Sequence, residues 1–138
     1  MVKFAAMWTA IIDLLKTQAV GLGVVETSIV KGAPGKAPPP PPFVYVLCLP
    51  GEGTEDDAGN LSYGIAEVTV FCGVKPEKTA EEAIIKAVQL AGRVRTALID
   101  SDYCADGLPP EFVDKNSNHT VVSFDFTSLF SPYEDLIV

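Results

Sequence analysis

The sequence predicts an α+β fold: a mostly antiparallel or mixed sheet of about four strands, with two helices packed on one face. Three observations carry this. Two segments place apolar residues at helical spacing, near the start of the chain and after Thr79. Four short runs are β-branched and aromatic and are bounded by Gly, Pro or polar turns. The order helix, strand, strand, strand, helix, strand puts three strands in succession, joined by loops rather than by crossover helices. The chain has 138 residues, 48% of them apolar. That is enough for one core and too little for two, so residues 1–138 read as a single domain.

The first element is an amphipathic helix from about Lys3 to Thr17. Phe4, Met7, Trp8, Ile11, Leu14 and Leu15 share a stripe at i, i+3, i+4 spacing, with Lys3, Thr9, Asp13, Lys16 and Thr17 opposite. Its polar side is not strongly basic, so docking on a sheet fits better than lying on a membrane, and Trp8 reads as core. Asp13 and Lys16 interrupt the apolar run, and no A-x-A box follows, which disfavours a signal peptide. Gly21 and Gly23 punctuate the exit, and Val24 to Val30 reads as a strand.

Pro38 to Pro42 are five consecutive prolines, which neither a ladder nor a helix interior accepts. The stretch from about residue 31 to 42 is therefore expected to be a mobile loop between strands. Pro40, at the middle of the proline run, is a candidate partner contact, and an SH3-type ligand is the sharper alternative. Phe43 to Leu49 is the next strand, and the acidic, Gly-rich turn Pro50 to Leu61 follows it. Ile65 to Cys72 is a strand with Ala66, Val68, Val70 and Cys72 on one face and Glu67 and Thr69 on the other.

The second helix opens with a capping box, Thr79 followed three residues later by Glu82, and Glu81 and Glu82 suit its positive end. Ile84, Ala87, Val88, Ala91, Val94 and Leu98 are expected to form the buried stripe. Lys86, Gln89, Arg93 and Thr96 lie opposite. Arg95 falls inside the apolar stripe and must reach an edge or an acidic partner. The run from Asp100 to Phe112 reads as a loop. Aligned as a calcium loop, with Asp102, Cys104 and Asp106-Gly107 in place, it puts Val113 where a bidentate Glu is required, so calcium is rejected. Thr120 to Phe126 is the last strand, with Val122, Phe124 and Phe126 on one face, and an apolar tail holds Tyr133, Leu136 and Ile137.

Charge and motifs narrow the function classes. Ten Lys and Arg against 18 Asp and Glu give a net charge of −8, which disfavours a nucleic-acid reader. No run approaches the roughly 18 apolar residues of a membrane span. Cys48, Cys72 and Cys104 are widely spaced without a C-x-x-C, so neither a disulfide framework nor a zinc site is expected, and a reduced protein is. G-x-S-x-G, H-E-x-x-H, P-loop and G-x-G-x-x-G motifs are absent from the sequence, and His119 is the single histidine. No catalytic residue, cofactor or metal is expected. Glu52, Glu55, Asp56 and Asp57 could pair as acid and base, but a solvated acidic loop is the simpler reading.

The run AEVTVFCGV at residues 66–74, a short linker, and EEAIIKAVQLAGRVRTALI at residues 81–99 resemble the central strand and long helix of phage tail-terminator proteins, also called tail-completion or minor tail proteins. The opening amphipathic helix, the hairpin with a long loop and the aromatic last strand fit that family too. The resemblance covers most of the element order, but only the central third by sequence texture. It implies a non-enzymatic virion protein that assembles in the host cytoplasm as a homo-oligomeric ring, expected to be a hexamer. Such a ring caps the tail tube, stops its polymerisation and joins the head-side connector at the neck. DNA passes through its lumen without specific binding, which negative charge favours. Candidate subunit contacts are Arg95, the acidic loop at Glu55, Asp56 and Asp57, Pro40, and the apolar Tyr133, Leu136 and Ile137. Two competing readings are a small intracellular module that binds a partner through its proline run, and an enzyme of unknown type.

Overall fold

The computed structural model describes residues 3–35, 38–51, 54–55, 61–100, 110–115 and 118–130. Within them the fold is α+β, a five-strand mixed sheet with two main helices packed against it. Helix α1 is Phe4–Thr17, followed by the single turn α2, Ala19–Leu22, and a 3-10 turn at Glu26–Ser28. The strands are β1 (Ile29–Lys31), β2 (Phe43–Pro50), β3 (Thr54–Glu55), β4 (Leu61–Val74), β5 (Glu111–Lys115) and β6 (Thr120–Phe130), and helix α3 is Ala80–Asp100. The order across the sheet is β1-β2-β4-β6-β5, with β3 paired to the start of β4. Among the described residues only the β1–β2 pair is parallel.

The period-two reading of β4 holds. Ala66, Val68, Val70 and Cys72 are buried on the helix-bearing face. Opposite them stand Val44, Val46 and Cys48 of β2 and Val122, Phe124 and Phe126 of β6, in register across the ladder. Ile29 continues this layer on β1. Helix α1 covers β1 and β2, α3 covers β4 and β6, and the two helices meet between.

Helix α1 contributes Met7, Ile11, Ile12 and Leu15 to the core. Trp8 is half-buried rather than fully enclosed. Its indole N–H donates to the Val46 carbonyl at 2.9 Å, and Lys31 Nζ lies 5.6 Å from the ring centroid. The edge-on contact of Phe4 with Phe130, at 5.0 Å between centroids, closes this end of the core.

Helix α3 begins where expected, and the Glu82 N–H donates to the Thr79 hydroxyl at 3.2 Å. Its buried arc differs from the expected stripe. Ala83, Ala87, Leu90, Ala91, Val94 and Leu98 are buried, Ile84 is half-buried and Val88 is 40% exposed. At 100° per residue the true arc is rotated toward Leu90, because α1 packs along that flank and draws the core to its side. Val88 is left on the opposite flank.

Three strand expectations need correction. Val24 to Val30 is not one strand. Gly23 takes a positive φ of 74°, the Ser28 N–H donates to the Val25 carbonyl at 2.9 Å, and only Ile29–Lys31 pairs with β2. Residues 111–115, of which Glu111 and Phe112 read as loop, form β5, which has a register shift between Phe112 and Asp114. β4 and β6 each extend past their expected ends, and their ladder runs from Val74↔Thr120 to Gly64↔Phe130.

The sheet's other face is not uniformly polar. Phe43, Tyr45 and Val121 are buried there, with Val30 and Phe71 packed against them. Phe43 lies edge-on to Tyr45 at 5.5 Å and to His119 at 5.4 Å. Gly73, paired with Phe43, leaves room for that ring: a Cβ at Gly73 would collide with its far edge. Gly64 and Phe130 repeat the arrangement on the helix-bearing face.

Candidate interaction surfaces

The sheet defines two ends. One is the Val74–Thr120 end, where β2 begins and α3 starts; the other is the Gly64–Phe130 end, beyond which β3 lies.

At the Val74 end, a groove of about 330 Å³ runs between α2, the start of β2 and the first turns of α3. Leu22, Leu90 and Val74 give it an apolar floor, and Lys75, Lys86 and Arg93 line it with positive charge. The sequence folds this way locally because Gly23 ends α2 in the left-handed region and turns the chain away, freeing the Leu22 carbonyl to accept from Arg93 Nη2 at 3.3 Å. Glu77 pairs with Lys86 at 2.6 Å, and its hydrogen bond holds the ammonium pKa above the ordinary value. A wider, shallower groove continues along α3 past Gln18, Gly21, Gly92 and Thr96. Val20, 97% exposed, and Val25, 66% exposed, stand on either side of the lining residues Leu22 and Gly23 in the sequence.

At the Gly64 end, the face away from the helices carries an apolar patch. Leu49 and Leu129 are each 50% exposed. Leu129 is paired with half-buried Ile65, which sits diagonally from Leu49. Glu67 and Asp125 stand on the same face, and Thr69 donates to Asp125 at 2.7 Å. The pairing of β3 with Leu61 and Tyr63 sets the backbone of Glu55 beyond this end.

A third surface lies at the β5 edge. Phe112 pairs with Val122 and so stands on the helix-bearing face, yet it is 55% exposed because α3 stops covering the sheet at β6. The flank of α3 on this side carries Ile84, Val88, Arg95 and Ile99.

The expected contact residues are thus scattered. Arg95 is half-buried on the α3 flank, Glu55 lies at the opposite end of the sheet from the basic groove, and Asp56, Asp57, Tyr133, Leu136 and Ile137 fall outside the described residues. Pro40 is exposed, but Pro38, Pro39, Pro41 and Pro42 are all half-buried, which leaves little free face for a polyproline-binding partner. The expected loop also starts later than residue 31. Lys31 belongs to β1 and donates to Thr9 at 2.7 Å, and the Gly32 N–H donates to Val46. The sequence reading missed the basic groove and the β5 edge.

The side chains with chemical potential have structural placements. Burial pushes the Cys48 thiol up to about 12, against a small opposing pull from Lys31, and raises Cys72 further still. Thiols held protonated in this way are poor nucleophiles. His119 is buried against the Phe43 ring. Among the described residues no three His, Cys, Asp or Glu converge on a possible metal position, and no helix is long and apolar enough to cross a membrane. Of the calcium loop rejected above, residues 101–109 lie outside the described residues.

No protein-family model matches this chain, and no curated protein matches it either.

Proposed function

We propose that this chain is a structural subunit of a phage tail, a terminator that closes into a homo-oligomeric ring. The ring caps the tail tube, ends its polymerisation and presents a surface to the head-side connector. One observation carries the reading: the subunit bears two unlike surfaces at opposite ends. The Val74 end holds a basic, apolar-floored groove. The Gly64 end holds the Leu49, Ile65 and Leu129 patch, with the backbone of Glu55 beyond it. A cyclic ring larger than a dimer needs two different surfaces on each subunit, one meeting the other of the next copy. Opposite charge and shared apolar character suit these two to one another. A hexamer and an acidic lumen for passing DNA follow from the family resemblance, and the net charge of −8 favours the latter.

The test is assembly. The purified chain is mixed with a polymerising tail-tube protein and imaged. Rings at tube ends and arrested elongation are the expected result. Arg93→Glu together with Lys86→Glu should weaken ring closure, and raised salt should do the same, because exposed charge pairs are screened within about 8–10 Å at physiological ionic strength. A chain that forms no rings, alone or with tubes, and leaves tube growth unchanged ends the terminator reading.

A further inference from the structure

Two charged side chains of opposite sign stand unmatched on this subunit, each in an apolar setting. Arg93 lines the basic groove together with Leu22, Leu90 and Val74. Its Nη2 donates to the Leu22 carbonyl at 3.3 Å, which is a neutral anchor, and among the described residues no carboxylate pairs with it. Glu77 offsets Lys86 in the same groove, so the excess charge rests on Arg93 and Lys75. Glu67 is exposed on the helix-free face of the sheet. Leu49 is its direct neighbour on β2, and Ile65 with Leu129 form the next row. Among the described residues Glu67 has neither a hydrogen bond nor an ion pair through its side chain. The two charges cannot meet within one subunit. Arg93 belongs to α3, which covers one face of the sheet, and Glu67 stands on the other, so the sheet lies between them.

We propose that Glu67 of one copy enters the basic groove of the next copy and pairs there with Arg93. This rests on the ring reading and names the contact at its centre. Three observations carry it. The first is chemistry. A guanidinium is a planar fork suited to two parallel bonds with a carboxylate, and one bond from Nη2 to a carbonyl fixes the group while leaving its other donors available. The second is the surroundings. Leu49 and Leu129 beside Glu67, and Leu22 and Leu90 beside Arg93, would close round the pair and exclude water from it, as apolar rims do at the strongest points of protein interfaces. Asp125, diagonal to Glu67 on the same face, adds a second negative charge for the groove's excess. The third is the state of the sheet edges. β1 has three residues and β5 carries a register shift, so both are poor templates for strand addition by a second copy. Contact through the groove and the Glu67 face needs neither edge.

Charge reversal tests this on the full chain, with assembly followed by sedimentation velocity and imaging, alone and with tail tubes. Arg93→Glu and Glu67→Arg should each weaken assembly by about tenfold or more, because each sets like charges against one another. Both positions are exposed, so the melting temperatures should not move. The double variant should assemble again. An equal mixture of the two single variants should also assemble. Each contact in it can join an unaltered groove to an unaltered face, or a reversed groove to a reversed face, and an even-numbered ring closes by alternation. Rings that form normally in both single variants would overturn this contact and leave the ring reading standing. A loss in Arg93→Glu that neither the double variant nor the mixture repairs would also overturn it, by giving the groove to an acidic group of another protein. A wild-type chain that never assembles, alone or on tubes, ends the ring reading and this contact together.

Discussion

Replacing Gly73 by Ala should destabilise the fold, although alanine is normally the better residue in regular structure. Gly73 sits on β4 directly across from Phe43, and the added Cβ would enter the space held by the far edge of that ring. Phe43 is completely buried and has Tyr45 and His119 edge-on at 5.5 and 5.4 Å, so it has little freedom to move aside. Removing glycine's backbone freedom returns about 0.5–1 kcal/mol. Overpacking a closed core costs about 1–3 kcal/mol, toward the upper end where the clash falls on a caged ring. The net loss should be about 2 kcal/mol, or roughly 6–8 °C in melting temperature for a domain of this size. Phe43→Leu shortens the obstructing side chain and should cost less than the roughly 3–5 kcal/mol of a Phe→Ala truncation. Combined with Gly73→Ala, it should be less harmful than the two separate losses added together, by about 1–2 kcal/mol. Thermal and urea melts of the four proteins measure this. A Gly73→Ala protein that melts at or above the wild-type temperature would refute the Phe43–Gly73 register, and so would strict additivity.

Gly92→Ala should act in the opposite direction. It lies inside α3 with nothing within 4 Å of an added Cβ, so a gain of about 0.5–1 kcal/mol is expected in the same melts. Leu90→Asp, two residues earlier in the buried arc, should cost several kcal/mol or prevent folding, and near-native melting would contradict the rotated arc. The two buried thiols predict an alkaline limit. A thiol near 9 in the unfolded chain and raised in the folded one contributes stability that is complete below pH 9. That contribution is lost as pH rises toward the folded value, about 12 for Cys48. Urea midpoints between pH 8 and 10 should therefore fall less in Cys48→Ala than in wild type. Equal slopes would remove the thiol from the explanation.

The legible parts of the fold were those where one physical signal dominated. Thr79 and Glu82 announced the start of α3, and the alternation of Ala66, Val68, Val70 and Cys72 fixed which face of β4 is buried. β5 was not legible. Glu111 to Lys115 is mostly polar, Phe112 and Val113 are both exposed, and a register shift breaks the alternation that would have marked a strand. Its strand character comes from hydrogen bonds to β6, which no local pattern encodes. The rotation of α3 was hidden for a similar reason. Val88 and Leu90 are equally apolar in sequence, and only the position of α1 decides which one the core takes. One available signal was passed over. The unbroken apolar run of β2 fits a strand buried on both faces, and Phe43 and Tyr45 are indeed buried opposite Val44 and Val46.

The candidate surfaces were harder to read because each joins residues remote in sequence. The basic groove brings Leu22, Pro42, Val74, Lys86 and Arg93 together from four parts of the chain. Arg93 read as ordinary solvated charge on the polar side of α3. Its meaning changes once Gly23 turns the chain and leaves the Leu22 carbonyl in its reach. The acidic turn was visible as composition, but the place of the Glu55 backbone at the opposite end of the sheet comes from the β3–β4 pairing. The separation of the two is what matters for the ring we propose. Complementary charges close together on one subunit would neutralise each other in place. Held at opposite ends of one sheet, they are kept apart by the β4–β6 ladder, and in the ring we propose each would meet its counterpart on another copy.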